Sequence, residues 1–169
     1  MARNIEIKAR VGDLAAVRAA AVGLGAQQLV TEDQVDRYYE LDGARRVKLR
    51  SIAGGRAEMI HYHRPEDGGV RASDYEVTPV RDEQAGVCLV PPGQPLVTVR
   101  KRREVLLLDN VRIHLDSVDD LGTFLELEAV VDAAHDEPRC RGQIDAILGA
   151  LGVAQADLLR QSYSDMLRR

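Results

Sequence analysis

Three features of the sequence predict an α+β fold built on about eight mainly antiparallel strands. Polar and apolar residues alternate with period two in one segment after another, the mark of strands with one polar face. Short turns join neighbouring segments, as antiparallel pairing allows. Apolar residues also recur at helical spacing in two stretches, 14–24 and 144–151, which supplies helices to cover apolar strand faces. With 169 residues, 45% of them hydrophobic and 30% charged, the chain is expected to form a single domain over 1–169.

The first strand runs from Asn4 to Val11, with Ile5, Ile7, Ala9 and Val11 on one face and Asn4, Glu6, Lys8 and Arg10 on the other. Gly12-Asp13 supplies the N-cap of a helix in which Leu14, Val17, Ala21 and Leu24 share a face, and Gly25 ends it. Gln34 to Leu41 suits a strand. The turn after it leads into Arg45–Ile52, where Arg46, Lys48 and Arg50 face away from Val47 and Leu49. Ala57 to Arg64 is the return strand, with Ile60, Tyr62 and Arg64 on one side, and Pro65 stops it. Segment 70–80 alternates through Tyr75 and Val77. A short helix is expected from Asp82 to Leu89, before Pro91, Pro92 and Pro95. Leu96–Leu108 and Val111–Val118 form a hairpin around Asp109-Asn110, and Gly122–Val131 adds one more strand. Pro138, Ile144, Ile147, Leu148 and Leu151 describe a helix ending at Gly152, and a terminal helix is expected over Ala156–Leu167.

Composition narrows the function classes. The 23 basic and 27 acidic residues give a formal charge of -4, so the overall field repels nucleic acid. No Trp, one Phe and five Tyr leave little for stacking bases. No apolar run reaches the ~18 residues of a membrane span, and Arg3, Glu6, Lys8 and Arg10 charge the N-terminus. A cytoplasmic protein with neither membrane nor nucleic-acid partner is the expectation. Cys88 and Cys140 lie far apart, which points to neither a disulfide framework nor a structural zinc site.

The charged strand faces form the chemical signal. Glu126 and Glu128 share one face, Arg112, His114 and Asp116 another, and Lys101 and Arg103 a third, each with an apolar back. One-sided sheets also turn such faces to water. If the strands instead close into a barrel, the charged faces line its lumen and the apolar faces pack under the helices. Lys8, Arg46, Lys48, Arg50, Arg64, Lys101, Arg103 and Arg112 would then stand against Glu6, Asp116, Glu126 and Glu128. So many cations at low dielectric call for a polyanion, and clustered carboxylates call for a cation. A metal-chelated triphosphate meets both demands.

The chain resembles the CYTH superfamily of triphosphate tunnel metalloenzymes, in particular its branch of class IV adenylate cyclase-like and thiamine triphosphatase-like proteins. Asn4-Ile5-Glu6-Ile7-Lys8 looks like the family's E-x-E-x-K signature. Asp36-Arg37-Tyr38-Tyr39, Arg46-Val47-Lys48-Leu49-Arg50, Tyr62-His63-Arg64-Pro65, Arg71-Ala72-Ser73-Asp74-Tyr75 and Val99-Arg100-Lys101-Arg102-Arg103 follow in family order. Arg112-Ile113-His114-Leu115-Asp116, Leu121–Glu128 and Ser162-Tyr163 complete the series. The resemblance implies an eight-stranded antiparallel closed β-barrel, a triphosphate tunnel, with helices packed on its outside. It implies Mg²⁺ or Mn²⁺ held by Glu6, Glu126 and Glu128, with Asp116 a further ligand or a partner behind the ligands. Lys8, Arg46, Lys48, Arg50, Arg64, Lys101, Arg103 and Arg112 would bind phosphates, with Lys8, Arg46, Lys101 and Arg103 the catalytic set. It also brings the expectation of a homodimer. Asn4 departs from the signature, where its amide brings no charge, so weaker metal binding or one site in place of two is expected.

Other residues receive plainer readings. His114 shares the lumenal parity and is placed to bond phosphate, whereas His61 and His63 lie on the opposite parity to Tyr62 and Arg64. Arg100 and Arg102 are expected at the surface, His135 in a solvated loop, and Tyr38, Tyr39 and Tyr75 in packing or at the rim. The expected activity is adenylate cyclase-like, ATP to cyclic AMP and pyrophosphate. The alternatives are a triphosphatase acting on thiamine triphosphate, tripolyphosphate or a nucleoside triphosphate, and a polyphosphate- or nucleotide-binding module without turnover.

Overall fold

The computed structural model describes residues 2–42, 45–63 and 71–168. Its strands are β1 (Ala2–Arg10), β2 (Gln27–Asp42), β3 (Arg45–Ile52), β4 (Arg56–His63), β5 (Arg71–Val80), β6 (Val97–Leu108), β7 (Val111–Val118), β8 (Gly122–Val130) and the two-residue β9 (Leu158–Leu159). The helices are α1 (Leu14–Gly23), α2 (Glu83–Val87), α3 (Glu137–Ala150) and α4 (Tyr163–Leu167). The sheet runs β5-β4-β3-β2-β6-β7-β8-β1-β9, and a further β5–β1 pairing closes β1 to β8 into a barrel. Each pairing is antiparallel.

Closure decides which way each alternating strand faces. The apolar parity of β1, β7 and β8 points outward, where Ile5, Ile7, Ile113, Leu125 and Leu127 pack with Val17 and Ala21 of α1 and Cys140, Ile144 and Ile147 of α3. Asp13 caps α1 by accepting from the Ala16 amide at 3.0 Å, and Asp136 caps α3 by accepting from Arg139 at 2.9 Å. A smaller outer cluster joins Tyr39, Val47, Leu49 and Met59 with Val80 and Val90. Here α2 lies so close to β3 that a Cβ on Gly86 would come within 2.3 Å of Leu49 Cδ1, so glycine permits the approach. The third cluster lies inside the barrel. Val99, Val118 and Phe124 turn inward at one end, where Tyr163 of α4 packs on them, and Met166 and Leu167 support it. One end of the lumen is therefore stoppered by the C-terminal helix.

Two expectations about the elements change. The second strand starts at Gln27, seven residues earlier than the alternation indicated, because a register shift between Gln28 and Val30 breaks the period-two pattern. Leu29 and Val30 are consequently both exposed. The expected terminal helix over 156–167 is instead a 3-10 turn, β9 and α4. Leu158 packs into the α1–α3 cluster while Leu159 packs into the cluster inside the barrel. Successive residues reach opposite sides only from an extended chain. Helix resumes at Ser162, whose hydroxyl accepts from the Asp165 amide at 3.2 Å while the Asp165 carboxylate accepts from the Ser162 amide at 3.1 Å.

Candidate functional site

Charged and polar residues of β1, β2, β3, β6, β7 and β8 face the lumen, which holds a cavity of about 390 Å³. β1 contributes Asn4, Glu6 and Lys8; β8, Glu126 and Glu128; β7, Arg112 and His114. From the opposite wall come Lys101 and Arg103 of β6, Gln34 of β2, and Lys48 and Arg50 of β3.

The lumenal cations are countered by carboxylates built into the same walls. Asp36 has no solvent exposure and accepts from Arg50 through both oxygens, at 2.7 and 2.9 Å, and from Lys101 at 2.7 Å. Lys48 lies 3.5 Å from it. Burial opposes its charge, but Arg50, Lys101 and Lys48 together outweigh burial and hold its carboxyl well below the usual range. One carboxylate thus serves three cations, of which Lys101 is the most deeply buried. Burial draws Lys101 down to about 7 and Lys48 to about 8, against the pull of Asp36.

Asp116 plays the same part on the other wall. Its oxygens accept from Arg103 at 2.7 and 2.6 Å and from the Tyr163 hydroxyl at 2.7 Å, so α4 is tied to the wall that carries Arg103. Burial works against the Asp116 carboxylate, yet Arg103 lowers it to about 2. The same two neighbours, burial first and Asp116 second, push the Tyr163 phenol well above its ordinary value.

Glu126 and Glu128 differ from these two aspartates in that they line the cavity. Lys8 and Arg103 both reach Glu126, the latter at 3.3 Å, and they overcome burial to keep it well below the usual range. Glu128 pairs with Arg112 at 3.3 Å, and burial together with the nearby Glu126 raises it to about 7. Two buried carboxylates whose charges raise one another's cost form a donor set that suits a hard divalent cation. A ring nitrogen of His114 and one oxygen each of Glu126 and Glu128 lie within 4.8 Å of one another. Burial and Arg103 keep that imidazole well below its ordinary pKa. Asn4 is buried beside them. With its amide oxygen turned to Arg112 it accepts from that guanidinium at 3.2 Å and donates to the Arg3 carbonyl at 3.2 Å.

Most residues expected in the site are brought together by this wall. Lys8, Lys48, Arg50, Lys101, Arg103, Arg112, His114, Glu6, Glu126 and Glu128 all line the cavity. Asp116, expected as a metal ligand or a partner behind the ligands, lies off the cavity lining and holds Arg103. Arg46 stands apart from the cavity lining, its guanidinium 3.4 Å from Asp165 of α4. Arg64 lies outside the described residues. Arg102 is exposed and faces Asp33 at 3.2 Å, and His61 is exposed, both as expected. Asp36 and Tyr163 carried no assigned role in the sequence, and Tyr75 was expected only in packing or at the rim. Tyr75 accepts from Arg112 at 3.0 Å, and Asp36 could have been found from its parity with Gln34 and Tyr38 on a strand that must face Arg50.

A closed antiparallel barrel whose lumen gathers Lys8, Lys48, Arg50, Lys101, Arg103 and Arg112 with Glu6, Glu126 and Glu128 defines a protein with a charged tunnel. The chain belongs to the CYTH domain family, which it matches over residues 2–163. It is 26% identical over 96% of its length to a "putative adenylate cyclase" of Methanocaldococcus jannaschii, 97% of which is covered. Its fold is that of a Pyrococcus horikoshii protein, with a TM-score of 0.83, 24% identity, and 96% and 98% of the two chains covered. It is also that of a "putative adenylyl cyclase" of Hippeastrum described as having a dominant triphosphatase activity, with a TM-score of 0.63, 16% identity, and 99% and 94% coverage. Among the described residues no helix is long and apolar enough to cross a membrane.

Proposed function

We propose that the protein is a divalent-metal-dependent enzyme that binds a triphosphate in the barrel and converts ATP to cyclic AMP and pyrophosphate. The observation that carries this reading is the meeting, in one cavity, of Lys8, Lys48, Arg50, Lys101, Arg103 and Arg112 with the carboxylates Glu126 and Glu128. Glu126, Glu128 and Glu6 are the residues that would hold Mg²⁺ or Mn²⁺. Such a cation supplies neutralisation of phosphate charge and greater acidity for an attacking hydroxyl.

The chain's own residues bind and orient. Arg103 is fixed bidentately by Asp116, and Arg50 by Asp36, so each guanidinium keeps its direction before ligand arrives. Charge-assisted contacts from both walls hold the phosphates in line for displacement. The stopper of Tyr163 and Phe124 excludes water from one end of the lumen. In the reaction the ribose 3′ oxygen bonds the α-phosphorus, the bond to the β-phosphate oxygen breaks, pyrophosphate leaves, and the hydroxyl proton passes to solvent. Ile60, Val77 and Val105, which line the cavity beside the charged residues, offer an apolar wall for an organic group. The name of the archaeal relative supports the cyclase outcome.

A second reading is hydrolysis of the terminal phosphate of thiamine triphosphate, tripolyphosphate or a nucleoside triphosphate. Charged side chains in the cavity outnumber apolar ones, which favours recognition through phosphates over recognition of the organic end. Phosphorus NMR with Mg²⁺ or Mn²⁺ and each of ATP, thiamine triphosphate and tripolyphosphate separates the readings. Pyrophosphate with cyclic AMP establishes the cyclase, and orthophosphate with a diphosphate product the hydrolase. No turnover in any tube, with tight triphosphate binding, reduces the protein to a binding module. The reading includes a cytoplasmic setting with a small-molecule partner.

A further inference from the structure

We infer that His114 is itself a ligand of the divalent cation, joining Glu126 and Glu128 through a ring nitrogen and making a mixed nitrogen–oxygen site that prefers Mn²⁺ to Mg²⁺. The inference rests on the reading of the lumen as a metal site and adds to it a donor and a selectivity. β7 sets His114 directly opposite Glu126 of β8, on the parity that faces the cavity. Its residue is only 5% exposed. Its Nδ1 is buried without a hydrogen-bond partner, and the Glu128 Oε1 that faces it stands at 3.8 Å, beyond hydrogen-bond range. A buried imidazole nitrogen left unpaired costs free energy, so a partner of another kind is indicated. The three donor atoms lie within 4.8 Å of one another, close to the separation of atoms that share one cation at about 2.0–2.3 Å. On the adjoining β1 the wall offers Glu6 and, one inward position before it, the neutral amide of Asn4, so a nitrogen donor from β7 makes a shell that carries less charge than an all-carboxylate one. Mg²⁺ demands near-ideal octahedral oxygen ligation and gives up its waters reluctantly, whereas Mn²⁺, which shares its taste for carboxylates, is a first-row transition ion that also accepts an imidazole nitrogen.

The test uses the full chain with Mn²⁺ alone. Electron spin-echo envelope modulation of the bound Mn²⁺ is expected to show coupling to a directly bound imidazole ¹⁴N, and His114→Gln is expected to abolish it. Calorimetry is expected to give tighter binding of Mn²⁺ than of Mg²⁺. Mn²⁺ affinity should fall by on the order of 10- to 100-fold in His114→Gln, with Mg²⁺ affinity much less changed. Bound Mn²⁺ without nitrogen coupling overturns the inference while leaving the lumenal metal site standing, and absence of Mn²⁺ binding by the wild type overturns both. Should His114→Gln fail to fold, the wild-type spectrum decides alone.

Discussion

Asp36→Asn removes one charge and almost no volume from a carboxylate that has no solvent exposure and sits among three cations. The amide can still accept one hydrogen bond, but Arg50, Lys101 and Lys48 lose the charge that offsets their repulsion. Breaking a buried ion pair by neutralising one partner costs about 3–5 kcal/mol. For a chain of this size each kcal/mol moves the midpoint by roughly 2–4 °C, so the thermal transition should drop by roughly 6–20 °C. Lys101 at about 7 and Lys48 at about 8 fall further once Asp36 is neutral, whereas both keep ordinary values when unfolded. The unfolded chain then binds more protons, and the variant's stability must rise with pH. The deficit is therefore largest near pH 6 and smaller at pH 9. Tripolyphosphate replaces the missing negative charge, so it should raise the variant's midpoint more than the wild type's. The measurement is a set of circular-dichroism melts at both pH values with and without that ligand. A drop under about 2 °C at pH 6, or a deficit that grows toward pH 9, would refute the account of Asp36 as the built-in counter-ion.

Because burial leaves Lys101 and Lys48 with lowered pKa values, phosphate oxygens that favour their charged forms must draw protons onto them. Calorimetry of tripolyphosphate binding at pH 8 in buffers of differing ionisation enthalpy should show proton uptake by the protein, and identical heats after correction for the ligand's own titration count against it. Glu126→Gln and Glu128→Gln should each lower metal-dependent turnover by on the order of 100-fold or more while leaving the melting transition cooperative; unchanged rates in both would remove the lumenal carboxylates from the reaction. Asn4→Glu places a further carboxylate within reach of Arg112 and beside Glu128, so Mn²⁺ should raise its melting midpoint more than it raises the wild type's. Equal shifts would mean that β1 position 4 does not reach the cation.

Strand alternation carried most of the fold and the inner wall, because closing a sheet turns one parity inward on every strand at once. Once β1, β7 and β8 had charged faces, a barrel placed Lys8, His114 and Glu126 in one cavity without any side-chain detail. The method failed where periodicity did. The irregularity at Gln28 to Val30 hid half of β2, and two adjacent leucines read as helix although they serve opposite cores. Asp36 was missed because its neighbours Arg37 and Tyr39 hide its alternation. Its importance arises from register with Arg50 and from the approach of Lys101 across β6, neither of which is local in sequence.

That omission changes the physical argument about ligand. Counting cations alone implies a lumen that cannot tolerate being empty of polyanion. The structure has Asp36 and Asp116 permanently withdrawn from the cavity, each clamping the guanidinium that would meet phosphate. Glu126 and Glu128 occupy a different position, on the cavity wall and in contact with Lys8 and Arg112. A bare polyanion entering there meets carboxylates as well as cations, and its gain is reduced accordingly. A chelated one satisfies the glutamates with its cation and frees Lys8 and Arg112 for its oxygens. On the proposed function, selectivity for the metal complex over the free triphosphate would follow from which carboxylates are buried behind the wall and which are left on it.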